Sequence, residues 1–197
     1  MASPRRGARG RSSRGVTMLE VLIAIAILTF GLLGLASLQF QMQGAELEAY
    51  QRTQAIVHLQ DMVDRINANR KNAAQYVTAS PLGTAGTIDC SAPATLAQKD
   101  HCAWHAALLG ANETRGGVQL GAMNGARGCV SNPVALMPRQ MVVAVTWQGM
   151  SPTAAPGATA CGQGSYGSDD RFRRALVASI TIGCLQNDPA TGICVTP

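Results

Sequence analysis

The sequence predicts an α+β protein: a long N-terminal helix, its second half packed on a small antiparallel β-sheet, with disulfide-braced loops. Three observations carry that expectation. No proline interrupts the stretch between Val16 and Ser80, and its apolar residues keep a helical period. Two β-branched segments, residues 140–148 and 175–184, stand in the second half of the chain. All six cysteines lie downstream of the long helical stretch.

Composition narrows the classes further. The 197 residues suffice for one ordinary domain and an appendage, but not for two sizeable domains. Apolar residues make up 47%, yet 31 residues are alanine and aromatics reach only 4%. One modest core is therefore expected, and a large aromatic substrate pocket is not. Charged residues are 14%, a balance unlike that of a disordered chain. The net charge of +5 is concentrated in the leader, where Arg5, Arg6, Arg9, Arg11 and Arg14 stand, while the other 11 basic residues balance 11 acidic ones. A neutral body argues against a nucleic-acid-binding face.

The elements follow in order. Residues 21–45 carry no charge, and residues 21–38 (VLIAIAILTFGLLGLASL) are almost continuously apolar. At about 1.5 Å rise per residue such a run reaches the length of a membrane helix. The upstream arginines, with no acid among them, place the N-terminus in the cytoplasm and export the body. Beyond the apolar run, Ile56, Leu59, Val63 and Ile66 form a stripe among Gln60, Asp61, Asp64 and Arg65, the mark of an amphipathic helix. One helix is expected from near Thr17 to about Asn69, with Gly31, Gly34 and Gly44 as soft points and Asn67, Asn69 and Asn72 around its end. Residues 80–96 read as loop. Asp100 is expected to cap a short helix that runs through Trp104 and Leu108 and stops at Gly110. Gly116-Gly117 and residues 125–128 read as turns. Residues 140–148 and 175–184 read as strands. In the second of these, Leu176, Ala178, Ile180 and Ile182 share one face, with Val177, Ser179 and Thr181 opposite. Residues 151–167 read as a long surface loop, and a neutral tail follows Asn187. No internal repeat is visible.

The apolar run has three readings: a plain signal anchor, a secretory signal cut after Gly34-Leu35-Ala36, or a retained helix behind a short leader. The head of the run favours the third. Glu20 puts a carboxylate where secretion needs none, and intramembrane acids point to function by default. Gly15-Val16-Thr17-Met18-Leu19-Glu20, behind an arginine-rich leader and ahead of the apolar helix, resembles the class III signal of type IV prepilins. The resemblance implies cleavage between Gly15 and Val16, methylation of the new N-terminus at Val16, and an assembly role for Glu20. In that role Glu20 pairs with a neighbouring subunit's N-terminal amine. The family most often has phenylalanine after the cut, where this chain has Val16. The implied organisation is a cleaved leader (1–15), a long helix (16–70) with a transmembrane and assembly half (16–44), and an exported globular domain (71–197).

Downstream, Cys102-Ala103-Trp104 with Leu108, and Val143-Ala144-Val145-Thr146-Trp147, resemble the PilV kind of minor pilin, the type IV pilus modification proteins. Both tryptophans also read simply as core residues. The resemblance implies a minor pilin that primes the pilus fibre or joins it. Its partners would be a prepilin peptidase/methyltransferase, other major and minor pilins through the N-terminal helix, and the bacterial inner membrane before assembly; no nucleic acid and no cofactor is expected. The helix has no small-xxx-small pair between Val21 and Gln43 for a tight dimer. Two alternatives share parts of this pattern: a pseudopilin of a type II secretion system, and a secreted or periplasmic adhesive domain behind an ordinary signal peptide.

Cys90, Cys102, Cys129, Cys161, Cys184 and Cys194 form an even set on the exported side, which implies disulfides. Spacing leaves the connectivity open; shorter loops close more readily, which favours Cys90–Cys102 and Cys184–Cys194 and leaves Cys129–Cys161. A zinc site would need closely spaced pairs, and no Cys-x-x-Cys occurs. His101, Cys102 and His105 share part of a helix face, but solvated histidines are the expectation and no metal site is assigned. Gly162-Gln163-Gly164-Ser165-Tyr166-Gly167 matches a dinucleotide fingerprint without the strand and helix that would confirm it. Asn112-Glu113-Thr114 is a glycosylation sequon. No catalytic constellation emerges, so the chain reads as a substrate of enzymes rather than an enzyme.

Overall fold

The computed structural model describes residues 15–84, 86, 88–110, 114–115, 118–119, 123–132, 140–184, 186–187, 189 and 194–196. The expected α+β architecture is present, divided into two compact units, Met1–Gly44 and Ala45–Pro197. Helix α1 (Met18–Ala68) contributes to both. It passes Gly31, Gly34 and Gly44 without interruption. The glycines weaken helix propensity without ending it, because the flanking Leu and Ala are strong helix formers.

In the first unit α1 is mostly apolar and none of its described residues is buried; Leu22 (61% exposed), Phe30 (75%) and Phe40 (74%) show the extent. The second unit is globular. Its part of α1 buries Ala55, Met62, Val63 and Ile66, with Leu59 packed against them. Ile56, expected in this stripe, is instead 51% exposed. The inward face is rotated from the expected one, with Ala55 and Met62 both fully buried.

After Ala68 a 3-10 segment, Arg70–Tyr76, is broken at Asn72 (φ −113°, ψ 22°) and delivers Tyr76 to the core. Helix α2 (Leu96–Leu108) begins earlier than expected, and its cap is Thr95 rather than Asp100. Thr95 Oγ1 accepts the Gln98 N–H while the Gln98 side-chain oxygen accepts the Thr95 N–H, a reciprocal capping box. Asp100 is turned inward instead. Trp104 is fully buried and donates from Nε1 to the His58 carbonyl of α1 at 2.9 Å.

Strands β3 (Arg127–Ser131), β4 (Gln140–Gln148) and β5 (Arg173–Thr181) form an antiparallel sheet in the order β3-β4-β5. Val130 pairs with Val143, which pairs with Ala178. Residues 125–128, expected as a turn, are divided: Gly125 turns with φ 61°, but Gly128 lies in β3. There a Cβ would meet the Trp104 ring at 2.2 Å, so this glycine admits the indole to the sheet face. Leu82 and Gly128 exchange backbone hydrogen bonds at 2.8 and 3.0 Å, extending the sheet edge. Short antiparallel pairs join β1 (Thr114–Arg115) to β2 (Val118–Gln119), and β6 (Gln186–Asn187) to β7 (Cys194–Thr196). Strand β5 starts two residues before the expected segment because Arg173 pairs with Gln148, and it alternates as expected, with Leu176, Ala178 and Ile180 on the core side.

Disulfides join Cys90 to Cys102 and Cys129 to Cys161, with Cα separations of 5.7 and 5.9 Å. Cys184 is also disulfide-bonded; the side chain of Cys194 lies outside the described residues. The loop of residues 151–167 contains no helix or strand. It is gathered by two adjacent side chains of β5. Arg173, 3% exposed, is salt-bridged to Asp170 and donates to the carbonyls of Pro156, Thr159 and Cys161. Arg174 donates to Ser151 O and Thr153 Oγ1 and is salt-bridged to Glu48 of α1.

Candidate functional site

The head of α1 brings the sequence-selected residues into one short stretch. Gly15, Val16 and Thr17 precede the helix, which opens at Met18. Thr17 is the N-cap: its carbonyl accepts the N–H of Glu20 at 3.0 Å and of Val21 at 3.3 Å, and its Oγ1 accepts the Glu20 N–H at 3.3 Å. A helix leaves its first N–H groups without intrahelical partners, and a threonine hydroxyl satisfies one of them. The reading of Glu20 as a membrane acid gives Thr17 no role, and the structure supplies one. The signal was present, since Thr17-Met18-Leu19-Glu20 has capping-box spacing.

Glu20 therefore occupies the first turn, where the helix dipole favours negative charge, and its side chain is exposed. Val16 is 70% exposed. Nothing lies within 4 Å of a Cβ built on Gly15, whose φ is outside the left-handed region. Among the described residues nothing requires glycine at this position. From Met18 onward α1 is long and apolar enough to cross a membrane. The chain thus presents an accessible Gly15–Val16 peptide bond, a capped helix start, a carboxylate in the first turn and a greasy rod.

The other candidates are occupied by structural work. His101, expected to be solvated, is 8% exposed, and its Nε2 lies 3.0 Å from the Tyr76 carbonyl; burial lowers its pKa below the ordinary value. Cys102 is in a disulfide, and His105 Nδ1 accepts the Gly83 N–H at 3.1 Å. No group of three potential metal ligands occurs among the described residues. The run Gly162–Gly167 is a turn, with Gly162 and Gly164 at φ 64° and 73°, anchored by the Tyr166 hydroxyl on Gly125 O at 2.7 Å. Asn112 and Glu113 lie outside the described residues. Trp104 and Trp147 are both core residues, 0% and 3% exposed.

A polar joint ties the end of α1 to α2. Arg65 bridges Asp61 and Asp100, each at 2.9 Å. The Tyr76 hydroxyl donates to Asp100 and accepts from Asn69. Burial, and then the hydrogen bond to Asp100, push the Tyr76 pKa up to about 12. Each polar group named here is partnered inside the chain, so the joint holds two helices together and presents no reactive group.

Against known families, residues 10–36 match the model of the prokaryotic N-terminal methylation motif. That match spans Gly15, Val16, Thr17 and Glu20. Residues 37–107 match the Tt1218-like family, described as type IV pilin Tt1218; this covers the rest of α1, the 3-10 segment and nearly all of α2. No curated protein and no solved structure matches the chain.

Proposed function

We propose that the chain is a type IV pilin-like structural subunit and, within that class, a minor pilin of a type IV pilus system; the methylation-motif match over residues 10–36 and the type IV pilin match over residues 37–107 support the reading. The observation that carries this reading is the head of α1, where an accessible Gly15–Val16 bond, a capped helix start and Glu20 precede an uncovered apolar rod. Residues 1–15 are a leader removed by a prepilin peptidase, Val16 becomes the methylated N-terminus, and α1 stays with the product. Before assembly the apolar half of α1 holds the subunit in the inner membrane, with the leader cytoplasmic and the globular unit periplasmic. During assembly that half leaves the lipid and is buried against the same half of other pilins, because water cannot cover so much apolar surface. Glu20 is neutralised there by a neighbour's N-terminal amine and sets the register. The chain catalyses nothing; it is processed and polymerised.

The minor role is supported by the likeness of Cys102-Ala103-Trp104 and residues 143–147 to the PilV kind of protein. The deciding measurement is the mature N-terminus. Sequencing should begin at methylated Val16; a start at Ser37 would replace this reading with an ordinary secreted domain. Recovery of the protein from sheared pili, and not from a type II secretion complex, separates the pilin from the pseudopilin.

A further inference from the structure

We propose that Thr17 is a positioning residue for leader cleavage, acting by fixing where α1 begins and so keeping the Gly15–Val16 bond out of the helix. This rests on the prepilin reading above.

A peptidase must reach both sides of the bond it cuts, and a bond inside a helical turn has its N–H and C=O groups turned into the helix ladder. The Gly15–Val16 bond lies just upstream of Thr17, whose Oγ1 takes the Glu20 N–H. If that hydroxyl is lost, the sequence offers the helix an alternative cap upstream. Ser13 would make Arg14, Gly15 and Val16 the first three helical positions, enclosing the scissile bond in the first turn. Two features oppose that slide. Glycine is disfavoured inside a helix, and Thr17 rewards a start at Met18. Gly15 meets nothing within 4 Å, so its own contribution in this chain is conformational. Both residues keep the same bond out of the helix.

The test is the rate of leader removal from the full-length chain in membranes, with a prepilin peptidase present. Thr17→Val keeps the shape and removes the acceptor; it should slow cleavage about five-fold, the factor that loss of one N-cap carries into a helix equilibrium. Thr17→Ser should restore the wild-type rate. Thr17→Val combined with Met18→Pro should also restore it, because proline suits the first helical position and drives the preceding residue out of the helical region. Wild-type cleavage of Thr17→Val overturns the proposal. So does a Thr17→Val/Met18→Pro chain cut as slowly as Thr17→Val, which would mean that the peptidase reads the hydroxyl directly. Gly15→Leu serves as the separate control: if it is cut normally, the prepilin reading falls, whatever position 17 does.

Discussion

At Gly128 the space for a side chain is already filled by the Trp104 ring, 2.2 Å from where a Cβ would stand. Gly128→Ala must move a fully buried indole whose Nε1 is bonded to the His58 carbonyl. Overpacking of this kind costs about 1–3 kcal/mol, to be read as a lower urea midpoint for a fragment spanning residues 45–197. Titration adds a second residue-scale expectation. Burial lowers the pKa values of His58 and His101 from 6.5, so the unfolded chain takes up protons first and stability should fall as pH drops below 6.5. Tyr76 has the opposite sign: its raised pKa gives stability that is full below 10 and lost as pH rises toward about 12. Thermal melts across pH 4–11 should therefore show a plateau between two declines, and a flat acid side would contradict the buried His101. Glu20 differs in that the folded monomer makes little use of its carboxylate. Glu20→Ala keeps the backbone N–H that Thr17 caps, so leader removal should proceed. Entry into fibres should fail, since an unpaired buried amine costs roughly 3–5 kcal/mol. Wild-type abundance in sheared pili would reduce Glu20 to a tolerated interfacial acid.

At the scale of elements, the long loop after β4 is held by two adjacent side chains of β5, and Arg173 takes the larger number of its carbonyls. Arg173 is 3% exposed and holds three loop carbonyls and Asp170. Those carbonyls have few other means of satisfaction, because the loop forms no ladder of its own. Arg173→Met should strand the Asp170 charge and the carbonyls together, at a cost of roughly 3–5 kcal/mol. It should also open residues 151–161 to limited proteolysis while the rest of the fragment stays folded. Unchanged proteolysis would show that Arg174 and the Cys129–Cys161 bridge suffice. Strand β5 could be read from its alternation, but the use of its first two residues could not. Arginines at a strand head ordinarily signal solvent, and only the chain returning over them makes them internal.

At the scale of the molecule, the two compact units differ in what completes them. The unit Ala45–Pro197 has its own core, sheet and disulfides, and a fragment from Glu46 should be soluble and monomeric, with blocked thiols when made in an oxidising compartment. The bridges close loops of 12 and 32 residues. Loop-closure entropy assigns them roughly 3 and roughly 4 kcal/mol, a large share of the stability of a domain this size. Reduction should therefore lower the melting temperature sharply or abolish folding. A reduced fragment as stable as the oxidised one would mean that the core alone suffices. Among the described residues, the apolar window of α1 is not buried. On the proposed function, lipid and then other pilin helices cover it.

What the amino-acid order determined alone is what repeats or acts locally. The length of α1, its division into an all-round apolar half and a one-sided half, the Gly15-to-Glu20 motif, and strands β4 and β5 each rest on neighbouring residues or a regular period. Such signals survive without knowledge of the rest of the fold. The tertiary structure decided which face of α1 turns inward: Ala55 is fully buried and Ile56 is 51% exposed, although the helical period alone admits either. It decided that Gly128 is a strand residue, because the indole that requires the glycine arrives from 24 positions upstream. It also decided that Asp100 is a buried partner of Arg65 and Tyr76 rather than a cap. A carboxylate serves equally well at a helix start and beside a guanidinium, and only the return of the chain past α1 supplies the second choice.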